Sequence, residues 1–161
     1  MIMDFNKINY YISLALDEAY TAEKYGEVPV GAVLVDQSGK ILSKTHNTKE
    51  YENNPCHHAE ILAIMEASQE LRSWRLSECE LYITLEPCPM CLGAIIQSRL
   101  KKVFFGAYDL KGGAVSLGLN LHQNKKLNHR VSMSGGFKHL ECSRQLSNFF
   151  RRKRSFHKIN S

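Results

Sequence analysis

"CELYITLEPCPMCLGAIIQSRLKKVFFGA", residues 79 to 107, carries the pattern from which the fold can be read. "CELYITL" reads as a buried strand. "PCPMCLGAIIQSR" reads as a helix entered through proline, tolerated in a first turn because the missing N–H would be unpaired there anyway. "KKVFFGA" is a second apolar strand that follows after a short connection. Strand, helix, strand in that order is a parallel crossover, so the sheet should be mixed and carry helices on both faces.

Upstream, Ile8, Tyr11, Ile12, Ala15, Leu16 and Ala19 recur at helical spacing, with Asp4 or Asn6 as N-cap, and predict a first helix to about Lys24. In "VPVGAVLVDQSGKILSKTHN" branched residues flank the turn signal "DQSGK", which predicts a hairpin. Residues 47–56 are polar and should form a loop, followed by a second helix over about 58–71. Downstream, 109–129 holds Gly112, Gly113 and Gly118 without a clear period and reads as a long, partly ordered loop. "HRVSMSG" adds a short fifth strand, and residues 137 to about 155 a last helix. The expected architecture is an α/β fold built as one domain over residues 1–161, with a basic C-terminal helix.

The chain has 161 residues, 43% of them apolar and 23% charged, enough to bury a core without disulfides. The N-terminal stretch lacks the pattern of a secretory signal and no apolar run approaches the ~18 residues of a membrane span, so a soluble, cytoplasmic protein is expected. Five cysteines, Cys56, Cys79, Cys88, Cys91 and Cys142, then argue for thiols or metal ligands. The net charge of +5 is unevenly placed: ten Lys or Arg and one acid, Glu141, fall between Lys125 and Lys158. That asymmetry suits a polyanion, nucleic acid ahead of membrane, although a solvated terminal helix would also account for it.

Cys88 and Cys91 stand three apart at a helix start, where two thiolates can converge on one ion and the positive helix end favours them. A lone CxxC also serves redox proteins, but "NPCHHAEILAI", residues 54–64, supplies histidine. Two thiolates and one imidazole would leave the fourth tetrahedral position of zinc open, as a hydrolytic site requires and a structural one does not. Water there becomes a hydroxide source at neutral pH, and Glu60 could move its proton. Which histidine binds is left open by periodicity: His57 lies three residues before Glu60 and would share its face only if the helix had already begun.

HxE followed by PCxxC about 30 residues later is similar to the known signature of zinc nucleobase deaminases. "EVPVGAVLV", "HAEI", "LYITLEPCPMCLGAII", "SRLKKVFFGAYD", "NHRV" and "ECSRQLSNFFRRKR" together resemble the bacterial tRNA-specific adenosine deaminases over nearly the whole chain. The resemblance implies a cytidine deaminase-like three-layer α/β/α sandwich around a central mixed five-stranded sheet. It implies hydrolytic conversion of adenosine to inosine at the wobble position of an arginine tRNA, by zinc-bound hydroxide attack on adenine C6, in a homodimer. His58, Cys88 and Cys91 would hold one Zn2+ per subunit and Glu60 would shuttle protons, which leaves His57 as a neighbour of the site or a solvent-facing residue.

The same comparison makes Asn47 a contact to the target base, or else a turn residue after the second strand. Val28, Pro29 and Val30 would line the pocket or serve as strand core. Asp109 and Lys111 would approach RNA backbone, with a turn role open to Asp109. His129 and Arg130 in "NHR" would face RNA, unless His129 satisfies a buried backbone group. Phe149, Phe150 and Arg152 would stack on and pair with the anticodon loop, and adjacent positions on a helix predict one phenylalanine inward and one outward. Cys56, Cys79 and Cys142 are expected to be small buried hydrophobes. Two departures from the family pattern are His57, where alanine is common, and a glycine-rich loop about one residue shorter.

Two other functions fit parts of the sequence. A deaminase of free guanine, cytidine or a pterin-like base would share the metal set but has no use for "NFFRRKR". A zinc-stabilised RNA-binding module would have no use for the spare carboxylate of Glu60.

Overall fold

A computed structural model describes residues 3–159. Its elements run α1 (Phe5–Lys24), β1 (Gly31–Val35), β2 (Ile41–His46), α2 (Ala59–Leu71), β3 (Glu80–Leu85), α3 (Pro89–Gln97), β4 (Lys102–Ala107), a 3-10 turn (Leu121–Gln123), β5 (Ser132–Gly135) and α4 (His139–Ile159). The five strands form one mixed sheet in the order β2-β1-β3-β4-β5. β1 is antiparallel to β2 and β3, whereas β4 is parallel to β3 and β5.

The register sorts side chains onto two faces because strand residues alternate. Val33, Tyr82 and Phe104 are aligned on one face and pack with Ile12, Leu16 and Cys142 beneath α1 and α4. Ala32, Ile83 and Phe105 are aligned on the other, with Ala63, Ala67, Leu92 and Ile95 of α2 and α3. Both faces are covered, which is why β1, β3 and β4 read as apolar runs. Small residues set the spacing: Gly31 lies against the Ala15 carbonyl of α1, where a Cβ would collide.

Asp4 is the N-cap of α1 and accepts a hydrogen bond from the Lys7 amide at 3.0 Å. The hairpin turns at Asp36, whose Oδ1 accepts from the Ser38 and Lys40 amides, and Gly39 takes a φ of +86°. α4 runs four residues beyond the expected end, since "RRKRSFHKI" contains no helix breaker. Among the described residues, no helix is long and apolar enough to cross a membrane. One expectation fails: Cys56 is exposed, because it lies in the surface turn after Pro55 and gives its amide to Asn54 Oδ1. Cys79 and Cys142 are buried as expected.

Candidate metal and base site

Two helix N-termini meet beyond the carboxyl ends of β3 and β4. His58 is the N-cap of α2 and Cys88 the N-cap of α3, with Pro89 opening that helix and Cys91 in its first turn. His58 Nδ1 lies 3.6 Å from Cys88 Sγ and 3.5 Å from Cys91 Sγ. Tetrahedral zinc with bonds of about 2.3 Å to sulfur and about 2.0 Å to nitrogen separates such ligand atoms by roughly 3.5 Å, so the three residues fit that ion. The location follows the rule for α/β sheets, which place their sites outside the carboxyl ends of parallel strands.

Both helix ends turn free N–H groups and positive dipole toward the cluster. The hydrogen bond from Cys91 to Cys88 holds the Cys88 thiol down to about 4 and pushes that of Cys91 upward. The hydrogen bond to Cys88 raises His58. Glu60, two residues into α2, is 3% exposed, and burial pushes its carboxyl up to about 7. A cluster able to bind a dication and a carboxyl able to exchange a proton near neutral pH thus share one wall.

His57 turns the other way. Its Nδ1 pairs with Glu52 at 2.6 Å and lies 3.4 Å from Thr48 Oγ1, so it ties down the 48–54 loop. The ambiguity in "CHHAE" ends in the backbone: His58 is extended, at φ −80° and ψ 150°, and precedes the first helical residue.

A cavity of about 230 Å³ opens over His58, Glu60 and Cys88. Typical ligand pockets span ~300–1,000 Å³, so this one suits a single heterocycle. Val28, Val30, Asn47 and Asp109 are among the residues that line it, whereas Pro29 is not. Asn47 also caps: its Oδ1 accepts from the Ala59 amide at 2.9 Å and its Nδ2 donates to the Val28 carbonyl at 3.2 Å. Asp109 is likewise a turn residue, its Oδ1 accepting from the Lys111 and Gly112 amides.

Other sequence candidates lie outside the cavity. Lys111 and Arg130 are exposed. His129 hydrogen-bonds the Leu100 carbonyl at 2.7 Å through Nε2, the backbone role. Phe149 is buried and Phe150 exposed, one of each as the helix requires. Arg152 forms an ion pair with Glu23 of α1.

Five charged cavity residues were not singled out from the sequence: Glu27, Lys49, Glu50, Glu86 and Lys153. Lys153 was findable, since it lies four residues after the inward Phe149 and its Nζ stands 5.7 Å from that ring. Glu27, Lys49 and Glu86 gave no periodic signal, because each stands outside the helices and strands.

The fold and the His/Cys/Cys cluster define a zinc-binding deaminase: residues 5–107 match the cytidine and deoxycytidylate deaminase zinc-binding region. The chain belongs to the tRNA-specific adenosine deaminases of that family. It is 48% identical over 144 residues to the tRNA-specific adenosine deaminase of Bacillus subtilis, covering 89% of each chain. A solved structure from studies of A-to-I editing by tRNA:A34 deaminases superposes with a TM-score of 0.81 at 37% identity, covering 85% of this chain and 99% of that one. A guanine deaminase from Bacillus subtilis superposes less well, with a TM-score of 0.60 at 30% identity over 86% of this chain and 92% of that one.

Proposed function

We propose that this chain is a hydrolase that deaminates adenosine to inosine at the wobble position of tRNA, an arginine tRNA foremost, and that it works in the cytoplasm as a homodimer. The observation that carries the reading is a base-sized cavity lined by Glu60, His58, Cys88, Lys49 and Lys153, with buried Cys91 completing the His58, Cys88, Cys91 cluster. Zinc held by that cluster supplies the Lewis acidity that makes water nucleophilic at neutral pH.

Water oxygen adds to adenine C6 and becomes the C6 carbonyl of inosine, while the amine leaves as ammonia. Glu60 takes one proton from the attacking water and gives it to N1, then takes the second from the hydroxyl formed at C6 and gives it to the departing amine, so the carboxylate returns to its starting state. Asn47, with one amide hydrogen and one oxygen lone pair left after its two backbone bonds, orients the base. The dry wall of Val28 and Val30 supports the ring.

An anticodon loop presents an unstacked adenine without the cost of opening a duplex. Lys49 and Lys153 at the cavity and the exposed Phe150 of α4 support contacts to phosphates and bases of such a loop, which a free-base deaminase would not need. The test is inosine formation in an anticodon stem-loop with adenine at the wobble position, run beside free adenosine, guanine and cytidine. Turnover of the stem-loop alone is expected, and preference for a free base would overturn the assignment. Comparing tRNAs that carry A34 tests the arginine tRNA, and sedimentation at micromolar concentration tests the dimer.

A further inference from the structure

Glu86 is 2% exposed and lies two residues before Cys88, yet its carboxylate is hydrogen-bonded to the loop that follows β4. Its Oε2 accepts from the Asp109 amide at 2.9 Å and from Ser116 Oγ at 2.6 Å, and its Oε1 from the Ser116 amide at 2.7 Å. A buried carboxylate needs several donors to offset its desolvation, and here all three come from residues 109–116. Gly113 completes the fit. Its backbone φ lies outside the left-handed region, so alanine would be sterically ordinary there, but an added Cβ would collide with the Glu86 carboxylate. The Ala114 amide gives a further bond to the Pro87 carbonyl at 2.9 Å, so the loop is tied at two adjacent positions of the β3–α3 turn.

We infer that Glu86 is the positioning residue that folds the 109–116 loop around its carboxylate, and thereby sets Asp109 at the wall of the cavity. The inference rests on the proposed RNA substrate. The segment that delivers Cys88 also carries the template for the loop, so the metal cluster and the rim of the cavity are held by one turn. Asp109 depends on Glu86 through its own amide, while its side chain caps the turn through Lys111 and Gly112.

Glu86→Gln is expected to raise the KM for the anticodon stem-loop by about tenfold while kcat changes less than about twofold. Zinc should stay at the wild-type content, and the Asp109 and Ser116 amides should exchange hydrogen faster. Gly113→Ala, which leaves the charge in place, should do the same, and the double variant should be no worse than about twofold beyond either single change. Unchanged exchange and KM in both single variants would overturn the inference. So would a fall in kcat with loss of zinc, which would make Glu86 a support of the metal site. If neither variant folds, exchange in the wild-type chain still decides: those two amides should be protected like the amides of β4, and free exchange would overturn it. Exchange needs no substrate, so a wild-type chain inactive on the stem-loop would sink the proposed substrate and leave the hold of Glu86 on the loop to be judged separately.

Discussion

The metal cluster and the basic C-terminal helix are the two parts of the molecule that carry chemistry, and they are built in opposite ways. In the cluster, the three residues sit at the N-terminal ends of two helices, two as N-caps and one in a first turn, half-buried or buried, and their ligand atoms lie within 4.8 Å of one another. Backbone geometry leaves each side chain one place to go. On α4, long cations stand on an exposed surface where each can take another partner, as Arg152 takes Glu23. Residue type and spacing therefore determine function in the first region, whereas in the second they determine only an electrostatic tendency.

The strongest way to break the comparison is at the adjacent histidines. His58→Ala is expected to remove zinc and all measurable turnover, while His57→Ala keeps the metal and loosens the 48–54 loop. Metal analysis of both purified variants checks this, and the reverse result would move the ligand by one residue.

On α4, the helical period assigns Phe149 to the core and Phe150 to the surface. Phe149→Ala should cost ~3–5 kcal/mol of stability, and Phe150→Ala less than ~1 kcal/mol. Denaturant titration separates the two, and equal losses would mean that α4 packs differently.

The same spacing argument explains what the sequence revealed and what it hid. Strands buried on both faces announced themselves as apolar runs, and the short link between "PCPMCLGAIIQSR" and "KKVFFGA" announced the parallel pair. Cys88 and Cys91 were legible by zinc chemistry, since ligand sets tolerate few arrangements, whereas His58 was chosen over His57 by resemblance alone. Glu86 was not legible, because two of its three partners are backbone amides, which carry no residue identity, and all lie more than twenty residues away. The partner of Arg152 was hidden too: charge in sequence gives no sign of a pairing Glu23 from another helix. Cys56 looked like the other core cysteines until the surface turn placed it in solvent.

A subtler contrast lies within the cations. Lys153→Ala should weaken stem-loop binding several-fold at ~0.15 M salt and reduce the salt slope by about 1. Arg152→Ala should change both less, because the guanidinium is already paired with Glu23. Binding isotherms at three salt concentrations would show it, and a larger effect at Arg152 would mean that the pair opens to meet RNA.

The smallest expected effect lies far from the site. Burial opposes ionisation of Glu80, but the bonds from Lys7 Nζ and Tyr82 Oη outweigh it and hold the carboxyl below the usual range. A carboxyl lowered by folding adds stability that is fully present above its unfolded value of ~4.3 and is lost as pH falls through its folded one. Thermal melts of Glu80→Gln should therefore fall less steeply below about pH 4 than those of the wild type.

Glu60 joins the two regions, since it shares a wall with the metal ligands and faces the cavity that RNA must enter. Single-turnover deamination of the wobble-adenine stem-loop by Glu60→Ala, with zinc content and stem-loop affinity measured on the same sample, tests the account most directly. Zinc and affinity should match the wild type while the rate falls by ~10²–10⁴. Deamination at the wild-type rate would contradict the assignment of Glu60 as the group that moves the protons.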